Sequence, residues 1–242
     1  MEAPELWPAR NRVNRSEAVS SFSTENGEEN TSLAVWSTNP PDMAAEERLA
    51  IFMSGTGTNA LRIIEHFRDH PNIRVNALVT NRSDSGAVKM GLDEKIGIAI
   101  ISRSELQDGT KLVKFLKDKE ITCIVLAGFL WLIPEWLIRA FPSRIVNIHP
   151  SLLPKYGGKG MYGQHVHRAV LEAGDPQSGI TIHYVNEAYD EGAVIFQASC
   201  PVMPDDTPQT LAARVLQLEH AHFPSVIEEI LTNPDENLSL GE

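Results

Sequence analysis

Leu49-Ala50-Ile51-Phe52-Met53-Ser54-Gly55-Thr56-Gly57-Thr58-Asn59 is the stretch that decides the fold. Five apolar residues in a row suit a strand buried on both faces, because consecutive side chains point to opposite sides of a sheet. The run ends in a Ser/Gly/Thr turn, and a helical pattern follows with Leu61, Ile64 and Phe67 on one side. Strand, glycine turn and helix together make the opening of a βαβ unit. The two glycines let the backbone curl tightly, and a helix N-terminus presents unpaired N–H groups that suit a phosphate. The spacing matches neither Gly-x-Gly-x-x-Gly, since position 60 is Ala60, nor a Walker loop, since no Gly-Lys-Ser/Thr follows. A plain tight turn and an anion cradle both remain open at this point.

Working outward, the same alternation repeats. Strands are expected at Ile73 to Val79, Ile98 to Ile101, Cys123 to Ala127 and Ile145 to Ile148. Helices are expected between them at Ser85 to Glu94, Gly109 to Lys119 and Pro134 to Ala140. This rhythm predicts an α/β fold: an open, doubly wound, mostly parallel sheet with helices on both faces. After a helix over Val166 to Ala173, the strands Gly179 to Val185 and Ala193 to Ala198 stand too close for a helical crossover. They are expected to form an antiparallel C-terminal pair. The last helix starts after Asp206-Thr207-Pro208, buries Leu211, Val215 and Leu218, and is expected to kink or break at Pro224.

Residues 1–47 lack both periodicities and are rich in Ser, Asn, Glu, Pro and Thr, so they are read as a disordered extension to a domain spanning 48–242. Met43, just before the first strand, is the expected natural start. Hydrophobic content of 42% and charged content of 22% suit a globular protein with a sizeable core. A formal net charge of −11 argues against nucleic acid or an anionic membrane as the main partner. No secretory signal or membrane-length apolar run is evident, and a cytoplasmic location is expected. Cys123 and Cys200 both sit in apolar runs and are expected to be reduced core residues.

The chemistry centres on Asn147-Ile148-His149-Pro150-Ser151-Leu152-Leu153-Pro154. Asn147 and His149 are two residues apart on a strand and project the same way, and Pro150 ends the ladder. An amide N–H and an imidazole aimed at one point suit a carbonyl that becomes an oxyanion. The rival reading is a polar strand end with a solvated histidine. The turn Asn186-Glu187-Ala188-Tyr189-Asp190-Glu191-Gly192 offers a carboxylate that would favour a cationic His149, with His183 either bracing that carboxylate or capping a strand. Gly128-Phe129-Leu130-Trp131-Leu132-Ile133 would face the same crevice, either as a seat for a flat ring or as ordinary core. No metal site is expected: His66 and His70 have helical spacing without the Glu and third ligand of a zinc motif, and His165 and His167 are unsupported.

From about Arg48 to Leu231 the chain resembles the phosphoribosylglycinamide formyltransferases, folate-dependent enzymes of purine synthesis. The resemblance is carried by SGTGTN at 54–59, LAGFLWLIP at 126–134, NIHPSLLPKY at 147–156, GITIHYVNEAYDEG at 179–192 and LEH at 218–220. It implies formyl transfer from 10-formyltetrahydrofolate to the amine of glycinamide ribonucleotide, with no metal, in a monomer or homodimer whose partners are small molecules. It assigns Asn147, His149 and Asp190 as the catalytic trio and His183 as their support. Gly57, Thr58 and Asn59 would hold the ribonucleotide phosphate, and Glu219 the ribose side. Leu130, Trp131, Leu132 and Ile133, together with Asn147 and the Asn186, Glu187, Ala188 and Asp190 turn, would seat the folate. In this reading Asp190 keeps His149 charged near neutral pH.

The chain also departs from the pattern. Trp131 and Leu216 stand where relatives often carry an arginine and a polar residue, the loop Gly157–Gly163 is longer than usual, and no arginine for the folate tail is found near Gln107-Asp108-Gly109. Formyltetrahydrofolate deformylase shares the catalytic core but carries an N-terminal regulatory domain. Methionyl-tRNA formyltransferase would need a basic C-terminal domain. A non-catalytic folate- or nucleotide-binding protein is the third alternative.

Overall fold

A computed structural model describes residues 46–233. The expected extension, except its last two residues, and the expected start at Met43 lie outside the described residues. Strand β1 (Glu47–Met53) is followed by α1 (Thr58–Phe67), β2 (Ile73–Thr80), α2 (Gly86–Asp93) and β3 (Gly97–Ile100). Then come α3 (Arg103–Asp108), α4 (Thr110–Asp118), β4 (Cys123–Leu126), α5 (Glu135–Ala140) and β5 (Ile145–His149). The chain continues with α6 (Gln164–Ala173), β6 (Gln177–Tyr184), β7 (Val194–Pro201) and α7 (Pro208–Thr232).

The seven strands form one sheet in the order β3-β2-β1-β4-β5-β6-β7. The first five are parallel, and β6 pairs antiparallel with both β5 and β7. The doubly wound sheet with its antiparallel C-terminal pair is therefore observed. β1 is buried along its length: Leu49, Ile51 and Met53 join the main core, while Ala50 and Phe52 point to the other face and are equally inaccessible. Against that main core pack Ile63, Ile64 and Phe67 of α1 and Val215, Phe223 and Ile227 of α7. Each such side chain contributes about 1.5–3 kcal/mol by leaving water.

Three expectations need correction. β1 begins at Glu47, inside the stretch assigned to the extension. This glutamate is 6% exposed and is held by the Thr122 hydroxyl and by Arg144, so its charge hid a buried strand end. The segment before Gly109 is a helix of its own, α3. Its capping box was legible: Ser102 accepts from the Glu105 amide at 3.2 Å, and the Glu105 carboxylate accepts from the Ser102 amide at 2.9 Å. Finally, α7 runs unbroken through Pro224. Phe223, Pro224, Val226 and Ile227 are all buried, and that packing outweighs one lost helical hydrogen bond.

Candidate active site

The strand order reverses between β1 and β4, and the first turn of chain beyond each strand leaves a crevice there. The two loops are tied together: the Ser54 amide donates to the Gly128 carbonyl at 3.0 Å, and the Leu130 amide donates to the Ser54 hydroxyl at 3.1 Å. A cleft of about 680 Å³ opens at this end of the sheet, reaching from Asn59 and Glu219 past Trp131 to Asn147, His149 and Asp190.

The β5–β6 register builds the polar wall. Asn147 stands opposite His183, and His149 opposite Thr181, so two residues of each strand share one face. His183 donates from Nδ1 to the Tyr184 carbonyl at 2.8 Å, which leaves Nε2 to accept from Asn147 Nδ2 at 3.0 Å. Asn147 Nδ2 also approaches Asp190 Oδ1 at 3.4 Å. His149 Nε2 lies 2.8 Å from the Tyr156 carbonyl and must carry the proton there, while Nδ1 faces Asp190 Oδ2 at 3.4 Å.

Asp190 is fixed by the Gly158 amide, which donates to Oδ2 at 2.9 Å. Both Asp190 and Tyr156 adopt left-handed backbone with φ of 58°, a conformation that costs a non-glycine residue energy and that the surrounding contacts must hold. Thr181, fully buried, anchors the intervening loop: its hydroxyl donates to the Ser151 carbonyl at 2.7 Å and accepts from the Leu153 amide at 2.9 Å.

Burial and neighbouring charge act in opposite directions on this wall. Desolvation lowers the pKa of His149 below the ordinary histidine value of 6.5, outweighing Asp190 and the Tyr156 carbonyl, while His183 adds to the lowering. Burial thus works against the charged form of His149, while Asp190 and the Tyr156 carbonyl favour it. Burial alone would raise the pKa of Asp190, but the adjacent His183 side chain, the neighbouring His149 and the Gly158 amide outweigh it and keep the carboxyl below its usual range.

Across the cleft, Asn59 Nδ2 donates to Glu219 Oε2 at 2.5 Å, joining α1 to α7. Burial lifts the Glu219 pKa above its ordinary value. Asn59 Oδ1 is buried without a partner among the described residues. Gly57 and Thr58 head α1 but do not line the cleft; a Cβ on Gly57, whose φ is 82°, would meet Met53 Cε at 2.2 Å. Of the residues expected to seat the folate, Leu130, Trp131, Asn147 and Asp190 line the cleft. Leu132, Ile133, Asn186, Glu187 and Ala188 do not, and Ile133 is buried in the core.

Two residues that line the cleft were not singled out from the sequence. His167 on α6 is 4% exposed, its Nδ1 lacks a partner among the described residues, and desolvation together with His149 lowers its pKa. Its spacing within His-x-His carried no signal of that placement. Arg103 reaches the rim from α3, the helix whose capping box was overlooked. The pair His66 and His70 converges instead on Glu228 of α7, at 2.5 and 3.4 Å from their Nε2 atoms.

Residues 47–227 match the family model described as formyl transferase. The chain belongs to the formyl transferase family. The chloroplastic phosphoribosylglycinamide formyltransferase of Arabidopsis thaliana is 44% identical over 190 residues, which is 76% of this chain and 65% of the relative. The Vigna unguiculata counterpart is 43% identical over 193 residues, 76% of this chain and 61% of the relative, so the match spans somewhat under two thirds of each plant protein. The phosphoribosylglycinamide formyltransferase of Haemophilus influenzae is 32% identical over 75% of this chain and 86% of the relative. Among solved structures, that enzyme from Bacillus halodurans superposes with a TM-score of 0.71 at 32% identity, covering 78% of this chain and 97% of that one. The formyl transferase fold is thus shared across the whole sheet and cleft.

Proposed function

We propose that this formyl transferase family member moves the formyl group of 10-formyltetrahydrofolate to the amine of glycinamide ribonucleotide in purine synthesis. The observation that carries this reading is the convergence of Asn147, His149 and Asp190 on one end of the cleft, with Asn59 and Glu219 at the other. The names of its relatives point the same way. The domain that begins with β1 at Glu47 is the proposed catalytic unit, and the residues upstream of Met43 a dispensable extension. Expression from Met43 tests that division, and lost turnover would overturn it. A cytoplasmic site of action is part of the same proposal, checked by fractionation; among the described residues no helix is long and apolar enough to cross a membrane.

The mechanism follows from the groups. The substrate amine attacks the formyl carbon, the C–N bond forms, and the carbonyl π electrons move onto oxygen. Asn147 Nδ2–H donates to that oxygen, a contribution of about 3 kcal/mol to the transition state for a donor of this kind. Neutral His149 has one free lone pair, on Nδ1, and takes the amine's proton there directly or through one water. Protonation is favoured at that moment because the new cation lies between Asp190 and the nascent oxyanion. The oxyanion then collapses, the bond from the formyl carbon to the folate nitrogen breaks, and the proton passes from His149 to that leaving nitrogen. Formylated ribonucleotide and tetrahydrofolate result, and His149 is neutral again. Leu130 and Trp131 seat the pterin, Glu219 the ribose, and Asn59 the phosphate.

Purified chain, 10-formyltetrahydrofolate and glycinamide ribonucleotide should yield tetrahydrofolate at a rate that vanishes without the ribonucleotide. Equal release with and without it would mean that water is the acceptor and would overturn the assignment in favour of a deformylase.

A further inference from the structure

A second cavity, of about 270 Å³, is enclosed between the loop that leaves β5 and the turn that joins α6 to β6. It shares no lining residue with the cleft. The buried Val170 and Ser178 form its floor, Leu152 a wall, and the exposed Lys155 and Pro176 its rim. A cavity of about 150 Å³ with apolar walls is enough to hold a benzene, so this one has room for a substituted six-membered ring.

Ser178 is 2% exposed, and its Oγ has no partner among the described residues. Buried hydroxyls are hydrogen-bonded in the large majority of cases, and an unpaired one on a cavity wall marks the place for a ligand's polar group. The rim carries charge of both signs. Lys155 Nζ donates to Asp175 Oδ2 at 3.0 Å, and the Tyr156 hydroxyl donates to the same oxygen at 2.8 Å. Lys155 and Tyr156 together hold the Asp175 carboxyl below its usual range, so cation and anion already neutralise each other. A charged ligand would have to break that pair, whereas an uncharged one leaves it intact.

Tyr156 belongs to both sites. It lines this cavity, and its carbonyl accepts from His149 Nε2 at 2.8 Å. Its backbone stands in the left-handed region, with φ of 58°, where only surrounding contacts hold a non-glycine residue. Some of those contacts line the same cavity: Ser151 Oγ donates to the Lys155 carbonyl at 2.7 Å, next to Tyr156 in the chain. An occupant that presses on Tyr156 therefore moves the carbonyl that fixes the imidazole.

We propose that this cavity is a second ligand site, taking a small uncharged ring with one hydrogen-bonding group, and that its occupancy is transmitted through Tyr156 to His149. The effect on turnover rests on the formyl-transfer reading above; the binding does not.

NMR of the full chain, labelled at leucine and valine methyls and at histidine ring nitrogens, tests this with benzamide, toluene and benzoate as probes. Benzamide should shift the Leu152 and Val170 methyl signals before those of Leu130 in the cleft, and should move the His149 ring signals with the same midpoint. Ser178→Ala removes no bond that the fold uses and should leave the melting temperature unchanged. It should nevertheless weaken benzamide about fivefold, the size of one neutral hydrogen bond, with toluene unaffected. Leu152→Trp, which fills the cavity, should abolish the response, and benzoate should bind more weakly than benzamide. Formyl transfer should slow with the same midpoint. Silent Leu152 and Val170 methyls, which would leave the cavity to water, overturn the site, as does a first response at Leu130. Equal benzamide affinity in Ser178→Ala overturns the assigned contact, and tighter binding of benzoate overturns the uncharged class. A filled cavity with His149 signals or turnover unmoved overturns the transmission. A chain that gives both NMR responses but transfers no formyl group refutes the activity and not this site.

Discussion

The two ends of the cleft are built on opposite principles. At the β5–β6 end each side chain of the trio is held by a protein partner: His183 holds Asn147, the Tyr156 carbonyl holds His149, and the Gly158 amide holds Asp190. At the α1–α7 end and along the rim, groups wait. Asn59 Oδ1 is buried without a partner among the described residues, and Arg103 pairs with no carboxylate among them. Leaving a buried polar atom unpaired costs about 1–3 kcal/mol, a cost that a ligand reaching Asn59 would offset. From this comparison we propose that the first end serves charge developing in a transition state, and the second ground-state binding. Substitutions should therefore separate turnover from affinity.

Asp190→Asn should have the largest effect, lowering kcat about 10³-fold or more, because the imidazolium formed during reaction loses its counter-charge. Michaelis constants for both substrates should move by only a few-fold; steady-state kinetics decide, and near-normal turnover would mean the carboxylate is misassigned. Asn147→Leu should cost about 10²- to 10³-fold in kcat, the range for a removed oxyanion donor. By contrast, Asn59→Leu should raise KM for the ribonucleotide about tenfold with kcat little changed, as expected for lost ground-state contact. A kcat collapse there would dissolve the distinction between the two ends.

Protonation gives a subtler break. With His149 as the proposed base and its pKa lowered by burial, kcat should hold from pH 8 to about 6.5 and fall only at lower pH. His149 and His167 both have depressed folded-state pKa values, so the unfolded chain takes up protons first as pH drops below 6.5. Stability should be undiminished above that value and decline below it until the folded-state values are passed; urea midpoints at pH 7.5, 6 and 5 would show it. An acid limb above pH 7 would indicate a resting imidazolium instead. Smallest of all, Thr181→Val should leave the Leu153 amide without its buried acceptor and cost about 1–3 kcal/mol of stability, read from the same urea curves.

How far the site was legible depended on how local each cause was. Asn147 and His149 share a strand face by the two-residue period alone, and the Asp190 turn lies in the short link between strands that had to pair. Glu47 and Pro224 misled because tertiary packing reversed what each residue does in isolation. Arg103 was missed because a six-residue helix has too few positions to show a period, although its capping box was present.

By itself, then, the sequence determined the strand–helix alternation, the sheet class and the pairing of an amide with an imidazole at a strand end. Those follow from periodicity, turn chemistry and chain connectivity, which act over a few residues. Only the tertiary structure decided that Asn59 meets Glu219 across 160 positions, that Arg103 stands on Trp131, and that burial lowers the pKa of His149. Contacts of that kind are set by crossovers that bring distant elements together. Desolvation of an imidazole depends on everything packed around it, not on its neighbours in the chain.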